Sequence, residues 1–207
     1  MNDALPTALL AGLGTGLGLI VAIGAQNTFV LRQGILRAHV PAVIAICTLS
    51  DAALIGLGVA GVGGVVRRWP AAVTAVALLG AGFLLTYAAF AARRALRPSA
   101  MTPDTADPAG TRRAAVLTCL ALTWLNPHVY LDTALMLGTV GTGFGALRWW
   151  FAAGAVLGSL LWFTALGYGA RVLSRVFARP RAWRVLDGLI AVTMAGLGVT
   201  MLTGALG

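Results

Sequence analysis

Lysine and glutamate are absent from this 207-residue chain, and charge of any kind is scarce. Fifteen arginines and six aspartates make up all of the charged 10%. A soluble domain carries roughly 25% charged residues, so a chain this poor in charge cannot cover its own surface in water. The missing lysine also removes the P-loop, whose Gly-x-x-x-x-Gly-Lys-Ser/Thr pattern needs the ammonium, and with it nucleotide hydrolysis within the chain. The only cysteines, Cys47 and Cys119, lie in apolar runs. They show neither metal-ligand spacing nor a disulfide framework and are expected to be small buried hydrophobes, not placed as a pair. No metal site and no cofactor follow. The opening MNDALPTALL has no basic segment, so a cleaved signal peptide is not expected. The restriction to Arg and Asp reads as coding bias, so the positions of the charges matter here rather than their type.

What is present is apolar. Hydrophobic residues make up 59% of the chain, glycine contributes 27 positions, and mean hydropathy is +0.89. This is an integral membrane protein. In that setting the net charge of +9 reports basic cytoplasmic loops and not nucleic-acid binding. A bilayer core about 30 Å thick needs about 20 helical residues. Six runs meet that length: 5–31, 40–66, 71–92, 114–140, 147–170 and 185–205. Pro41 and Pro70 suit helix starts, and Gly34, just after Arg32, suits a helix end. Twelve arginines fall after runs one, three and five (Arg32, Arg37, Arg93, Arg94, Arg97, Arg112, Arg113, Arg171, Arg175, Arg179, Arg181, Arg184), against three on the other side (Arg67, Arg68, Arg148). The positive-inside rule makes the twelve cytoplasmic and both termini external. A re-entrant run would instead give five spans and an internal N-terminus.

The hydrophilic stretch 93–113 reads as a cytoplasmic linker dividing the chain into 1–92 and 114–207. Three spans per half implies halves of opposite orientation, the inverted-repeat plan of many secondary transporters. The expected fold is therefore all-α: six transmembrane helices as two inverted three-helix repeats, with broken helices in spans one and four. Gly12 with Gly16, and Gly14 with Gly18, form G-x-x-x-G pairs suited to close packing in span one.

Two acids remain after the others are placed. Asp3 is terminal, Asp104 and Asp107 are in the linker, and Asp187 opens span six, where an acid favours a helix N-terminus. Asp51 and Asp132 lie inside spans. Each costs about 2.5–3.5 kcal/mol on insertion scales, and with no arginine inside a span neither has a permanent counter-ion. They are protonated, paired with His128, or face a wet cavity that takes a cation. In TWLNPHVYLDT, Pro127 cannot donate its nitrogen, so carbonyls near Thr123 and Trp124 are freed, and such backbone survives at membrane depth only inside protein or along a cavity. If the helix resumes, His128 and Asp132 share a face four residues apart. An ordinary proline kink is the bland alternative. Span one carries a similar polar insertion at Gly24, Gln26 and Asn27, the natural place for a break in a run ~42 Å long at 1.5 Å per residue.

These segments together resemble the LysE-type basic amino acid exporter family, most closely its arginine-exporting branch. IGAQNTFVLRQGILR is similar to the family's first-span signature, LSDAAL to its second-span Ser50-Asp51, and TWLNPHVYLDT to its fourth-span segment running through Tyr130. The resemblance covers essentially the whole chain. It implies export of cationic amino acids driven by the proton gradient across a bacterial plasma membrane. Asp51, Asp132, Gln26, Asn27, Asn126 and His128 would bind substrate or proton, Gly24, Ala25 and Pro127 would form the breaks, and Ser50 and Tyr130 would support them. Ala25 stands where the family has proline, so the first span is expected to bend less or to break at Gly24 alone. Partners would be the amino acid, protons and the bilayer, with a homo-oligomer left open. Rival readings are a neutral amino acid or divalent metal exporter of the same superfamily, and an intramembrane aspartyl protease; the flanks LSDAA and YLDTA lack the contexts such proteases show.

Overall fold

A computed structural model describes residues 4–21, 24–61, 70–96, 110–126, 129–172 and 180–206, excluding the side chains of 70–73, 76, 131, 132, 180 and 206. Every regular element among them is helical. The helices are α1 (Ala4–Ile20), α2 (Ala25–Leu36), α3 (Val40–Val59), α4 (Pro70–Leu96), α5 (Arg112–Trp124), a π-helical segment Tyr130–Leu137 continuing into α6 (Gly138–Thr142), α7 (Arg148–Gly169) and α8 (Pro180–Leu206). Val40–Val59, Gly145–Val172 and Arg181–Ala205 are long and apolar enough to cross a membrane, and α1 with α2 make a fourth crossing if the bent pair is one span. On α8, Val185, Leu189, Val192 and Val199 form an exposed apolar stripe. Such a stripe is unfavourable in water and suits a lipid contact.

The helix boundaries follow local chemistry. Pro41 sits in the first turn of α3 and Pro70 begins α4, where a missing N–H removes no helical bond. Thr111 caps α5, its hydroxyl accepting from Ala114 N at 3.2 Å. Gly34 does not end α2. The helix runs to Leu36 and closes on Arg37, whose φ of 54° supplies the left-handed turn. Gly34 instead lies inside the helix against the Gly167 carbonyl and Ala170. Between α2 and α3, His39 bonds through Nε2 to Gly110 O at 3.0 Å, tying that turn to the start of α5.

Two long contacts set the frame. α4 packs along α8, and α1 packs along α7. The second contact is made by small residues: Gly12 abuts the Phe151 backbone, Gly16 abuts Ala155, and Gly154 abuts the Leu9 backbone. Gly14 and Gly18 meet nothing within 4 Å, so among the described residues the first of the two G-x-x-x-G pairs is the one that makes an interface. α3 lies at the centre, against α2, α5, α7 and the π-helical segment. Its contact with that segment is also glycine-made: a Cβ at Gly58 would stand 2.5 Å from Ala134 O, and one at Gly138 would stand 2.6 Å from Gly58 O.

α3 and α7 share much of a burial pattern. Val43, Cys47, Ser50, Asp51, Ile55 and Val59 are buried in α3; Phe151, Ala155, Gly158, Ser159, Phe163 and Gly167 occupy the same positions in α7 and are buried too.

Candidate functional site

The centre of α3 holds a described acid with no basic partner among the described residues. Asp51 is 5% exposed, and its Oδ2 accepts a 2.6 Å hydrogen bond from the Ser159 hydroxyl of α7. Among the described residues no arginine pairs with it, the ion pairs there all being made by Asp187. The preceding residue, Ser50, accepts from the Trp124 indole N–H at 3.1 Å. Adjacent residues of α3 are thus held by donors from two different helices, the end of α5 and the middle of α7.

One turn before Asp51, the Cys47 Sγ lies 3.3 Å from the Cys119 Sγ of α5. Both thiols are free and fully buried. Sequence spacing suggested no pairing, and the structure corrects this: the residues are 72 apart in the chain but meet where α3 crosses α5. Gln26 lies beside the Cys47 thiol, and among the described residues its buried Nε2 has no conventional N or O acceptor. A buried amide donor left unmade costs about 1–3 kcal/mol, so this group is a candidate to meet a polar ligand.

Both expected helix interruptions are present, and each closes on itself. α2 leaves α1 at 86°, so the first span is sharply bent with alanine at position 25. Ala25 is the first residue of α2, a position that proline and alanine both fill without losing a helical bond. Gly24 caps α2 with extended φ −123° and ψ 177°. Asn27 reaches back over the break: its Nδ2 donates to Ile20 O at 2.7 Å, and its Oδ1 accepts from the Trp162 indole N–H at 3.2 Å. At the second interruption the Trp124 carbonyl, one of those expected to be free, accepts from Tyr130 OH at 2.7 Å. The freed carbonyls at Ile20 and Trp124 are therefore occupied by the protein's own side chains, where the sequence suggested groups open to substrate. Pro127 and His128 lie outside the described residues, and nothing is described of the Asp132 side chain. Asn126 accepts from Val129 N at 3.1 Å through its carbonyl. The backbone carrying Asp132 is π-helical, winding i to i+5, so the α-helical spacing of four does not describe this segment. π-helical turns occur frequently at functional sites.

Two placements of charge differ from the sequence reading. Asp187 does not open its helix: α8 begins at Pro180, and Asp187 is buried seven residues further on. Arg32 is not in a loop; it lies within α2 at 6% exposure. Arg94 Nε of α4 is 3.0 Å, and Arg32 Nε 3.6 Å, from the same Asp187 oxygen. The guanidinium of Arg32 lies over Trp183, and that of Arg94 over Tyr87. This cluster anchors α2 to the α4–α8 pair.

A family model described as LysE type translocator matches residues 17–205. The chain belongs to this family. It is 47% identical to a candidate amino-acid transporter of Mycobacterium tuberculosis, over 89% of this chain and 91% of the relative. It is 38% identical to a protein named lysine exporter LysE in Corynebacterium efficiens, over 93% of this chain and 97% of that one. It is 37% identical to a protein named arginine exporter ArgO in Serratia proteamaculans, over 93% and 94%. No solved structure matches. The relatives in this family are transporters and not enzymes, which removes the protease reading.

The structure gathers Gln26, Ser50 and Asp51 around one crossing, with Asn27 and Tyr130 each bracing one interruption. Sequence reasoning missed Ser159, Trp124, Trp162 and the Cys47–Cys119 contact. For Ser159 a signal existed: it is a serine in a run of Ala, Leu and Gly, at the position in its helix that matches Asp51 in α3.

Proposed function

We propose that this LysE-family amino acid exporter moves a cationic amino acid, arginine or lysine, out across a bacterial plasma membrane, driven by the proton gradient. The observation that carries this is Asp51: a carboxylate buried at the centre of the bundle, partnered by a hydroxyl and by no arginine among the described residues. A carboxylate in that setting is stabilised by a bound cation or by a proton, and exchange of one for the other is antiport. Two relatives carry the names lysine exporter and arginine exporter, and the Gln26 amide beside Cys47 supplies a donor for a substrate oxygen. Asp132, on the π-helical segment along α3, is the second acid, with Asn126 and His128 completing the polar set. Expelling a cation from a negative interior costs about 2.3 kcal/mol per charge per 100 mV, which the incoming proton offsets.

The halves 1–92 and 114–207, joined by 93–113, form inverted repeats in this reading. The matched burial of α3 and α7 supports it, as do interruptions in the first helix of each half. The arginine-rich side, with the Arg32–Asp187–Arg94 cluster, faces the cytoplasm.

The test is efflux of labelled arginine and lysine from proteoliposomes under an imposed proton gradient. Wild type should move at least one of them, and Asp51→Asn should reduce the rate at least tenfold at equal protein. Proton-driven efflux that Asp51→Asn leaves untouched would reject this site.

A further inference from the structure

We infer that Ser159 is a positioning residue for the cation carried at Asp51, contributed by the second half of the chain at the position equivalent to Asp51 itself. The inference rests on the exporter reading above and adds the residue that orients its acid.

Register comes first. Asp51 stands eleven residues past Val40, the first residue of α3, and Ser159 stands eleven residues past Arg148, the first residue of α7. At this same offset Val43, Cys47, Ser50, Asp51, Ile55 and Val59 match buried residues of α7, whereas Leu54 and Gly58 do not. When two equivalent residues of a repeated structure touch each other, they lie at the axis relating the repeats. The 2.6 Å contact between Ser159 Oγ and Asp51 Oδ2 is such a contact. An acid at that axis is at the same depth from either half, the place from which a carried ion is reached from both sides.

The direction of the hydroxyl is the second observation. Helical serines and threonines commonly bond back to the carbonyl four residues earlier, and this chain does so repeatedly: Thr28 to Gly24, Thr86 to Gly82, Thr123 to Cys119, Thr139 to Leu135 and Thr200 to Gly196. Ser159 gives up that local bond and donates across the helix interface to Asp51. Ser159 is itself fully buried and Asp51 nearly so. One oxygen of Asp51 is thereby fixed, and the other has no protein partner among the described residues. The pair carries one negative charge, shared between an acid and a neutral hydroxyl, which matches a single guanidinium or ammonium group.

The experiment measures arginine and lysine transport in proteoliposomes for wild type, Ser159→Ala, Ser159→Thr and Ser159→Cys, with size-exclusion profiles confirming folded protein. Ser159→Ala should raise KM about tenfold or more, the scale of one hydrogen bond to a charged group, while the maximal rate stays within about twofold. Ser159→Thr keeps the hydroxyl and should return KM to within about threefold of wild type. Ser159→Cys keeps the size with a weaker donor and should fall between, and it carries the test if the alanine variant does not fold. A folded Ser159→Ala or Ser159→Cys variant with wild-type KM overturns the positioning role. So does a fall in maximal rate at unchanged KM. If wild-type vesicles move neither amino acid, it is the exporter reading that fails instead.

Discussion

The two helix interruptions solve one physical problem by different means. At the first, α1 gives way to α2, and a side-chain amide, Asn27, takes the freed Ile20 carbonyl while receiving the Trp162 indole. At the second, a phenol, Tyr130, takes the freed Trp124 carbonyl, and the chain continues as a π-helix. The elements that follow are anchored differently as well. α2 is held by charge, through Arg32 and Asp187, and also by the close approach of Gly34 to Gly167. The π-helical segment is held by backbone approach, through Gly58 and Gly138. A charge anchor can be exchanged for another charge, whereas a glycine contact tolerates no substitute.

This contrast can be broken from either side. The largest effect is expected from Asp187→Ala. Removing one partner of a buried ion pair costs about 3–5 kcal/mol, seen as a large fall in the melting temperature of the detergent-solubilised protein. Partial reversal by a second change, Arg32→Leu, checks that the broken ion pair is the cause. Next comes Gly138→Val, which drives a branched side chain into the Gly58 backbone. Overpacking of this kind costs about 1–3 kcal/mol, and in contrast to Asp187→Ala no charge change should rescue it. Asn27→Ala follows. It leaves the Ile20 carbonyl and the Trp162 indole both without their partner, at about 1–2 kcal/mol for membrane hydrogen bonds of this kind. Tyr130→Phe removes a single bond and should cost about 0.6 kcal/mol. If the melting temperature fell more for Tyr130→Phe than for Asn27→Ala, the assignment of the stronger brace to the first interruption would be wrong. The smallest effect is expected of Ala25→Pro, which restores a residue suited to a first helical position and should leave both melting temperature and transport near wild type.

Much of this was legible before any coordinates. Pro127 announces the second interruption, and the freed Trp124 carbonyl follows from the missing N–H. Gly12 and Gly16 announce a close helix contact. What could not be read are pairs far apart in the chain. Ser159 meets Asp51 across 108 residues, Cys47 meets Cys119 across 72, and Arg94 meets Asp187 across 93. Arg32 and Asp187 were misplaced for the same reason: each was judged by its neighbours in sequence, one as a helix-end cation and the other as a helix-start acid, while their partners lay on other helices.

Composition alone made this a membrane protein, because a chain with so little charge has no way to wet its surface. The order of apolar runs and helix-breaking residues decided where its helices form and where they stop, since those depend on φ, ψ and the N–H of neighbouring residues. Which polar groups meet was decided only by folding. Hydrogen bonds and ion pairs between helices depend on the rotation of each helix about its axis and on the depth at which two helices cross, and neither is encoded in any short stretch of the chain.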